Sequence, residues 1–502
     1  MSTRLKKLKW NSILALSYQV ILVISGLILP RCFLRFYGSE VNGLISSITQ
    51  FLAFINICDL GISAVVSSAY YKPLAENDNQ LISKIFVYSK KFFRVVGYIL
   101  TGYIVLLLII YPTVINRTFN YLYTAALIAA MGISQLGQYF IGITYQLLLN
   151  SDQKSYVQLG INGATLILNT ITSIILMYNG ASIQIVKLTT SLLYLLRPVL
   201  LMFYVKKHYN IDYTVSTDST VVTQKKSGII QHIAYMIYEN TDVIVLTVFS
   251  TLKNVSIYSI YTLVTNSIKQ IISAATTGVQ ALLGNMIANG EQKKLREFYE
   301  FYDWLIHTVT SFLFTVAGLL IIPFVKLYTS NITDADYYAP TFSVLILVAY
   351  YLSSIRNCNY VLIRAAGHYK KTQAASLVEA ALNLTLSIIC VFKFGLVGVA
   401  FGTLIATLYF VAFEAVYFSK NIVFIPKRHF AKLFLTDILF MAVSVAISVN
   451  VKLFNGTVIS WIVQALAVSG ICAVVLLCMQ ALLYRKNFIN ITERLKCKAF
   501  GK

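Results

Sequence analysis

The segment at residues 12–30 reads SILALSYQVILVISGLILP and contains no charged side chain. About fourteen apolar segments of this kind follow one another along the chain, and a membrane core about 30 Å thick is crossed by roughly 20 such residues in a helix. The whole composition agrees, with 58% hydrophobic residues, 12% charged residues and a mean hydropathy of +0.72. The sequence therefore predicts an all-α integral membrane protein.

The predicted transmembrane helices occupy residues 12–30, 44–70, 95–114, 122–149, 156–177, 183–205, 229–250, 256–287, 302–325, 341–364, 373–392, 396–419, 433–451 and 458–484. Pro30 is expected to end the first of them, because proline interrupts helical hydrogen bonding.

The net charge of +22 is explained by topology rather than by nucleic-acid binding. Most of the 41 Lys and Arg residues lie in every second connection between the predicted helices, for example Lys7, Lys154 and Lys206. Few lie in the remaining connections. Such an excess marks the cytoplasmic side of a membrane protein. We expect a multi-pass plasma-membrane protein with both termini in the cytoplasm, its basic loops attracted to anionic membrane lipids.

Several classes of protein lack support in the sequence. No GxxxxGK[ST] motif is present, the seven cysteines are scattered, and the histidines lack metal-ligand spacing, so we expect no nucleotide, metal or cofactor. His232 and His307 are interpreted as buried polar residues with hydrogen-bond partners. No large outer loop offers room for a transferase or ligase site. These observations favour a transporter over an enzyme.

Two weak internal matches suggest a duplicated architecture. The turn at residues 151–154 (SDQK) matches residues 367–370 (GHYK), and residues 41–44 (VNGL) match 255–258 (VSIY) at nearly the same offset. Parallel six-helix repeats would place a substrate path between them, as in alternating access. The expected domains are a first six-helix lobe, a second six-helix lobe, and two accessory helices with a basic tail, at residues 1–215, 216–425 and 426–502.

The candidate site consists of charged residues inside the predicted helices, each of which costs roughly 2.5–3.5 kcal/mol at the centre of a span, together with Arg31 and Arg35, which flank the outer end of the first helix. The cations expected to line a cavity, or to form ion pairs between helices, are Arg31, Arg35, Lys187, Arg197, Lys269 and Arg356. The acids expected to couple an ion or to pair with those cations are Asp59, Glu239, Asp242 and Glu379. Arg364, Glu414 and Asp437 are expected near helix ends, where a long side chain reaches the interface.

One region resembles a known family. Residues 30–60 read PRCFLRFYGSEVNGLISSITQFLAFINICDL, with an arginine-bearing helix end, then FYGSEVNGL, then a DLG that begins at Asp59. Together with Asn240-Thr241-Asp242, GHYKKTQAASLVEAALN (367–383) and FGLVGVA (394–400), this resembles the polysaccharide-flippase branch of the multidrug/oligosaccharidyl-lipid/polysaccharide (MOP) exporter superfamily.

The resemblance implies two six-helix lobes around a cationic cavity, with two accessory helices. It also implies export of polyprenyl-diphosphate-linked oligosaccharide, or of a precursor of an O-antigen or capsule, across a bacterial plasma membrane. The glycan polymerase and glycosyltransferases of the same pathway would be partners. Two alternatives stay open: an ion-coupled multidrug exporter of the same superfamily, and a membrane glycan polymerase or ligase.

Overall fold

The computed structural model describes residues 3–59, 62–115, 118–216, 229–276, 279–485 and 487–489. In this part of the chain the secondary structure is helical, with turns between the helices and no β-strand. The α-helices are α1 (Thr3–Ala53), α2 (Ile62–Glu76), α3 (Asn79–Ile110), α4 (Tyr121–Gly137), α5 (Ile143–Ser151), α6 (Ser155–Tyr178), α7 (Ile183–His208), α8 (Ile229–Phe249), α9 (Leu252–Thr276), α10 (Val279–Ala288), α11 (Gln292–Tyr328), α12 (Pro340–Ile355), α13 (Asn357–Ala365), α14 (Tyr369–Asn421), α15 (Lys427–Ser448) and α16 (Val458–Leu483).

Each of the fourteen predicted apolar segments is largely helical in its described residues, which confirms the predicted fold class. Within the described part of the chain, ten helical stretches are long and apolar enough to cross a membrane, including one of 45 residues and one of 52. The predicted second helix is less regular than expected, because a short 3-10 helix, Phe54–Asp59, stands between the end of α1 and α2. Residues 60–61, inside the same predicted helix, lie outside the described part.

The first predicted helix does not end at Pro30. Helix α1 continues through this proline and changes direction at Gly38, whose φ of 82° and ψ of 176° are not helical. A proline removes one hydrogen bond from a helix, whereas a positive φ turns the backbone and is open to glycine at little cost. Gly38 therefore separates the first two predicted spans.

Helix α14 is a hairpin of two helices that meet at Gly395, with φ 53° and ψ −125°. Across the hairpin, the Asn383 amide donates to the Thr403 hydroxyl at 3.3 Å. A Cβ added to Gly398 would lie 2.3 Å from the carbonyl oxygen of Cys390, so only glycine allows this approach of the two backbones. The glycines of the FGLVGVA segment thus form the turn and bring its two helices into contact.

Apolar side chains cover much of the outer surface, while many polar side chains are buried. On α16, Leu482 is 82% exposed and Leu466 is 70% exposed, whereas Gln464 and Gln480 are buried. A chain that folds in water shows the opposite distribution. This distribution matches a helix bundle whose outer surface contacts lipid.

The chain divides into two compact units, an N-terminal unit (Met1–Ser256) and a C-terminal unit (Ile257–Lys502). In the N-terminal unit, α1 and α6 run parallel, as a series of contacts between residues 145 positions apart shows. At one end, the Asn11 side chain accepts from the backbone N–H of Tyr156; in the middle, the Thr170 hydroxyl lies 3.0 Å from that of Ser25. Further along, the Tyr37 hydroxyl donates to the carbonyl oxygen of Ala181 at 2.7 Å.

A small ionic cluster joins the beginning of α1 to the turn between α5 and α6. The Asp152 carboxylate lies 2.9 Å from Lys7 Nζ and 2.8 Å from Lys154 Nζ, and it accepts from the Tyr209 hydroxyl at 2.5 Å. Partial burial alone would raise the pKa of Asp152, but hydrogen bonds from Lys154, Tyr209 and Lys7 lower it below its ordinary 3.8. Lys7 and Lys154, which the charge pattern assigns to the same side of the membrane, lie at the same end of this unit.

Candidate functional site

Helix α7 carries two of the predicted cations, Lys187 and Arg197, both partly buried. They are ten residues apart, which corresponds to about 15 Å along a helix axis. Both lie on α7 where it is close to α1 and α6.

Lys187 lies at the end of the N-terminal unit where α1 changes direction. Its Nζ is 4.2 Å from the centroid of the Phe33 ring, a cation–π contact. The Arg35 guanidinium lies 5.8 Å from the ring of the neighbouring Phe36, which packs edge-on against Tyr178 at 5.0 Å. Arg31 and Arg35 are exposed on α1, one helical turn apart. The structure therefore places these three cations at one end of the unit.

Arg197 reaches from α7 to α6. Its Nε donates to the Thr165 hydroxyl at 2.7 Å, one Nη donates to the carbonyl oxygen of Asn162 at 3.5 Å, and its guanidinium carbon is 3.7 Å from the centroid of the Tyr194 ring. These neutral groups orient the guanidinium without cancelling its charge.

Neither Lys187 nor Arg197 has a carboxylate within ion-pair distance among the described residues. A cation that is partly withdrawn from water and lacks a counterion favours an anionic ligand. The arrangement on α7 can therefore bind a negatively charged group.

The predicted cations of the C-terminal unit have different surroundings. Arg356 and Glu379 form a buried ion pair in which both Nη atoms contact the two carboxylate oxygens, the longer of the two contacts being 3.1 Å. The Arg356 guanidinium also lies 4.1 Å from the centroid of the Phe410 ring. Lys269 Nζ lies 5.7 Å from the centroid of the Tyr350 ring. Arg356 thus joins the end of α12 to α14, and its charge is balanced within the unit.

Two of the remaining predicted acids lie on α8. Asp242 is buried beside Asn240 and Thr241. Glu239 is exposed, which corrects the expectation of burial; it lies one helical turn from Tyr235, which is exposed as well. Asp59 ends the short 3-10 helix, and its side chain lies outside the described part of the chain, as does that of Arg364.

The expectation that Glu414 and Asp437 reach the membrane interface from helix ends is wrong. Both are buried, with Glu414 at 0% and Asp437 at 4% exposure. Helix α15 begins at Lys427, six residues earlier than expected, so Asp437 lies almost three turns inside it. His307 has a hydrogen-bond partner, as predicted, and that partner is Asp437 at 2.5 Å.

His307 and Asp437 are surrounded by three residues that were not predicted from the sequence, Asp303, Tyr351 and His429. One signal was present: Asp303 and His307 are spaced i, i+4 and therefore share a face of an apolar helix.

Contacts of the second half of α1 with α8 and with the beginning of α9 explain the FYGSEVNGL segment. The Asn42 amide donates to the Ser256 hydroxyl at 2.8 Å, and the Thr247 hydroxyl donates to that of Ser47 at 2.8 Å. A Cβ on Gly43 would lie 1.9 Å from the carbonyl oxygen of Leu252. Asn42 and Ser256 occupy matching positions of the two similar sequence segments, 41–44 and 255–258. In the structure these two residues contact each other directly.

No protein-family model and no curated protein matches this chain. Among solved structures, the lipid II flippase MurJ in an inward closed conformation is similar over 94% of this chain and 98% of its own, with a TM-score of 0.67 and 16% identity. A eukaryotic MATE transporter is similar over 85% of this chain and 97% of its own, with a TM-score of 0.60 and 14% identity.

An inward-facing multidrug resistance MATE family transporter of the MOP superfamily is similar over 80% of this chain and 94% of its own, with a TM-score of 0.59 and 14% identity. At these identities the likeness concerns the fold. The chain has the fold of MOP-superfamily transporters and flippases, as the sequence predicted at that level.

Proposed function

We propose that this protein is a flippase that moves polyprenyl-diphosphate-linked oligosaccharide, or a cell-surface polysaccharide precursor, across a bacterial plasma membrane by alternating access. Both termini would lie in the cytoplasm. An ion gradient or the membrane potential would supply the energy. The glycan polymerase and glycosyltransferases of the same pathway would be its partners.

The observation that carries this proposal is the pair of partly buried cations on α7. Lys187 and Arg197 are held by aromatic rings, a hydroxyl and a carbonyl, without a carboxylate counterion in the described part of the chain. A diphosphate offers several anionic oxygens, and a guanidinium can bind two of them at once. Because Thr165 and Asn162 engage only part of the five N–H donors of Arg197, the others can bind a phosphate.

The second candidate function is export of cationic drugs, which the likeness to MATE transporters supports. A site for cationic drugs should present carboxylates that are not already paired with a Lys or Arg side chain. In this chain Glu379 is neutralised by Arg356, and the two cations of α7 would repel such a ligand. The electrostatics of α7 therefore favour an anionic substrate.

The proposal is tested by measuring binding to the purified protein in lipid nanodiscs. The probes are a polyprenyl diphosphate, the corresponding monophosphate, the uncharged polyprenol and a cationic dye. We expect the affinity to increase with phosphate charge. Arg197→Ala should weaken diphosphate binding by about tenfold, which corresponds to 1.4 kcal/mol.

Lys206→Ala is the matched control, because Lys206 is an exposed cation on the same helix. It should keep the wild-type affinity. Equal affinity for the diphosphate and the uncharged polyprenol, or an unchanged affinity in Arg197→Ala, would contradict the cationic site. Preferential binding of the cationic dye would favour the drug exporter.

A further inference from the structure

Two histidines and two aspartates form a buried cluster in the C-terminal unit, at the contact of α11, α12 and α15. His307 Nδ1 lies 2.5 Å from Asp437 Oδ2, so one proton is shared between these two atoms. The Tyr351 hydroxyl donates to the same carboxylate oxygen at 2.6 Å. The side chains of His307 and Asp437 are only 7% and 5% exposed. The cluster thus joins α15 to α11 through a charge-assisted hydrogen bond.

Asp303 completes the cluster from the preceding turn of α11. One of its carboxylate oxygens lies 3.1 Å from His429 Nε2, which donates to it. The other lies 3.9 Å from His307 Nε2, which is too far for a hydrogen bond. His307 Nε2 is therefore the atom of the cluster that can accept one more proton.

The charge balance of the cluster favours that proton. With both imidazoles neutral and both carboxylates ionised, the cluster carries two negative charges in a medium of low dielectric constant, which is costly. A proton on His307 Nε2 gives an imidazolium that lies between Asp437 and Asp303 and can donate to both. Uptake of one proton thus removes one net charge and turns the hydrogen bond between His307 of α11 and Asp437 of α15 into an ion pair.

Other titratable or charged side chains lie around the cluster on every neighbouring helix. Arg356 is paired with Glu379. Glu414, buried on α14, accepts from the Asn359 amide at 3.1 Å. The remaining ones are Tyr299, Cys358, Tyr484 and Lys432, the last of which lies over the Tyr484 ring. Among the described residues, His307 and His429 are the groups within ion-pair distance of Asp303 and Asp437, so the two imidazoles are the direct partners of these carboxylates.

A cavity of about 40 Å³ borders the cluster, and the polar part of its lining is Asp303, His307, Arg356 and Asn359. This is enough for an ordered water molecule, which needs a few polar partners such as these. The described residues include no group of three or more His, Cys, Asp or Glu side chains arranged to hold a metal ion. The surroundings therefore suit a proton and water better than a metal cation.

His429 provides a route by which protons reach the cluster. Its side chain is 18% exposed, more than that of any other member, and it is the third residue of α15. From His429 the hydrogen bond to Asp303 leads to His307 and Asp437. A proton that enters at the beginning of α15 can thus reach Asp303, and it passes on to His307 when the 3.9 Å separation between these two side chains shortens.

We propose that Asp303, His307 and Asp437 form a proton-binding site, supplied through His429, at which proton uptake sets the packing of α15 and α16 against α11. This inference does not depend on the identity of the transported substrate. Trp304 adjoins the site in the chain and donates from its indole N–H to the Gln480 amide oxygen of α16 at 2.8 Å. Its fluorescence therefore reports on the packing of α16 against α11.

The test is a pH titration of Trp304 fluorescence in the full-length protein in nanodiscs without substrate. Trp10→Phe and Trp461→Phe leave Trp304 as the one remaining tryptophan of the three. We expect the Trp304 fluorescence to change sigmoidally with pH, with the steepness that corresponds to the binding of one proton. The change should be lost in Asp437→Asn and in His307→Gln, each checked for folding by gel filtration.

Glu297→Gln is the matched control, because Glu297 is an exposed acid on the same helix. It should keep the full titration curve. A flat curve in the background protein, or the same curve in folded Asp437→Asn and His307→Gln, would overturn the proposal. Failure of polyprenyl-diphosphate binding would contradict the proposed function and leave this titration unaffected, so the two proposals fail separately.

Discussion

Gly43 is a residue at which a single methyl group should disturb the N-terminal unit. A Cβ there would lie 1.9 Å from the backbone carbonyl oxygen of Leu252, and neither backbone can yield easily. We expect Gly43→Ala to destabilise the protein by about 1–3 kcal/mol, as overpacking usually does. The melting temperature of the purified protein measures this effect.

The control for this change is Gly102→Ala, at a helical glycine of α3 with no atom within 4 Å of the added Cβ. Its melting temperature should be unchanged or slightly higher, because alanine favours helix over glycine by up to about 1 kcal/mol. Equal melting temperatures for Gly43→Ala and Gly102→Ala would show that the close approach at Leu252 does not exist.

Asp152 should make stability depend on pH in the acid range. Its pKa is lowered in the folded protein, so the stabilisation it gives is fully present above the ordinary value of 3.8 and is lost as the pH falls through the folded pKa. The wild type should therefore melt at a higher temperature than Asp152→Asn at neutral pH. The difference should shrink below about pH 4.

Melting curves of wild type, Asp152→Asn and the exposed-acid control Glu297→Gln between about pH 3 and 7 measure this dependence. The control should follow the wild type throughout. A difference between wild type and Asp152→Asn that stays constant down to pH 3 would rule out the ionic cluster as its source.

At the residue scale, the sequence identified which charged residues lie in apolar helices, but it did not identify their partners. Arg356 and Glu379 were both singled out, and their pairing became visible only when α12 and α14 were placed side by side. The importance of Asp437 was missed because the beginning of α15 was placed six residues too late. Ion pairing between helices depends on which helices are in contact. The pattern of apolar and polar residues along one helix does not contain this information.

At the element scale, the α14 hairpin gives a direct test of helix placement. Asn383 and Thr403 face each other across it at 3.3 Å between the amide nitrogen and the hydroxyl oxygen. In a background without native cysteines, Asn383→Cys with Thr403→Cys should form a disulfide under mild oxidation. Trypsin cleaves after Lys393 between them, so the two peptides should remain linked until reduction.

The control pair is Leu384→Cys with Thr403→Cys, because Leu384 neighbours Asn383 but is 39% exposed on another face of the helix. It should give little linked peptide. Equal linking in both pairs, or none in the first, would mean that the two helices do not pack as described.

The positions of the helices were predictable because length and hydropathy determine them in a membrane. Their ends were less predictable. Helix α1 passes through Pro30 and turns instead at Gly38, since proline inside a helix costs one hydrogen bond, whereas a positive φ reverses the backbone. Gly38, the first glycine of the FYGSEVNGL segment, forms this turn.

At the scale of the whole molecule, the sequence predicted the MOP fold from degenerate motifs, and the structural likeness confirms it at that level. The division into two six-helix lobes with two accessory helices stays a prediction, as does a cationic cavity between the lobes. Substrate identity was beyond the sequence, because phosphate recognition needs few residues and these motifs serve packing instead.

The measurement that tests the central claim most directly is mass spectrometry of polyprenyl-linked lipids from bacteria depleted of this protein, with a leaflet assay for the lipid that changes. The proposed function predicts build-up of one diphosphate-linked oligosaccharide in the inner leaflet, reversed by wild-type protein and by Lys206→Ala but not by Arg197→Ala. An unchanged lipid profile accompanied by new sensitivity to cationic drugs would contradict the flippase and favour a multidrug exporter.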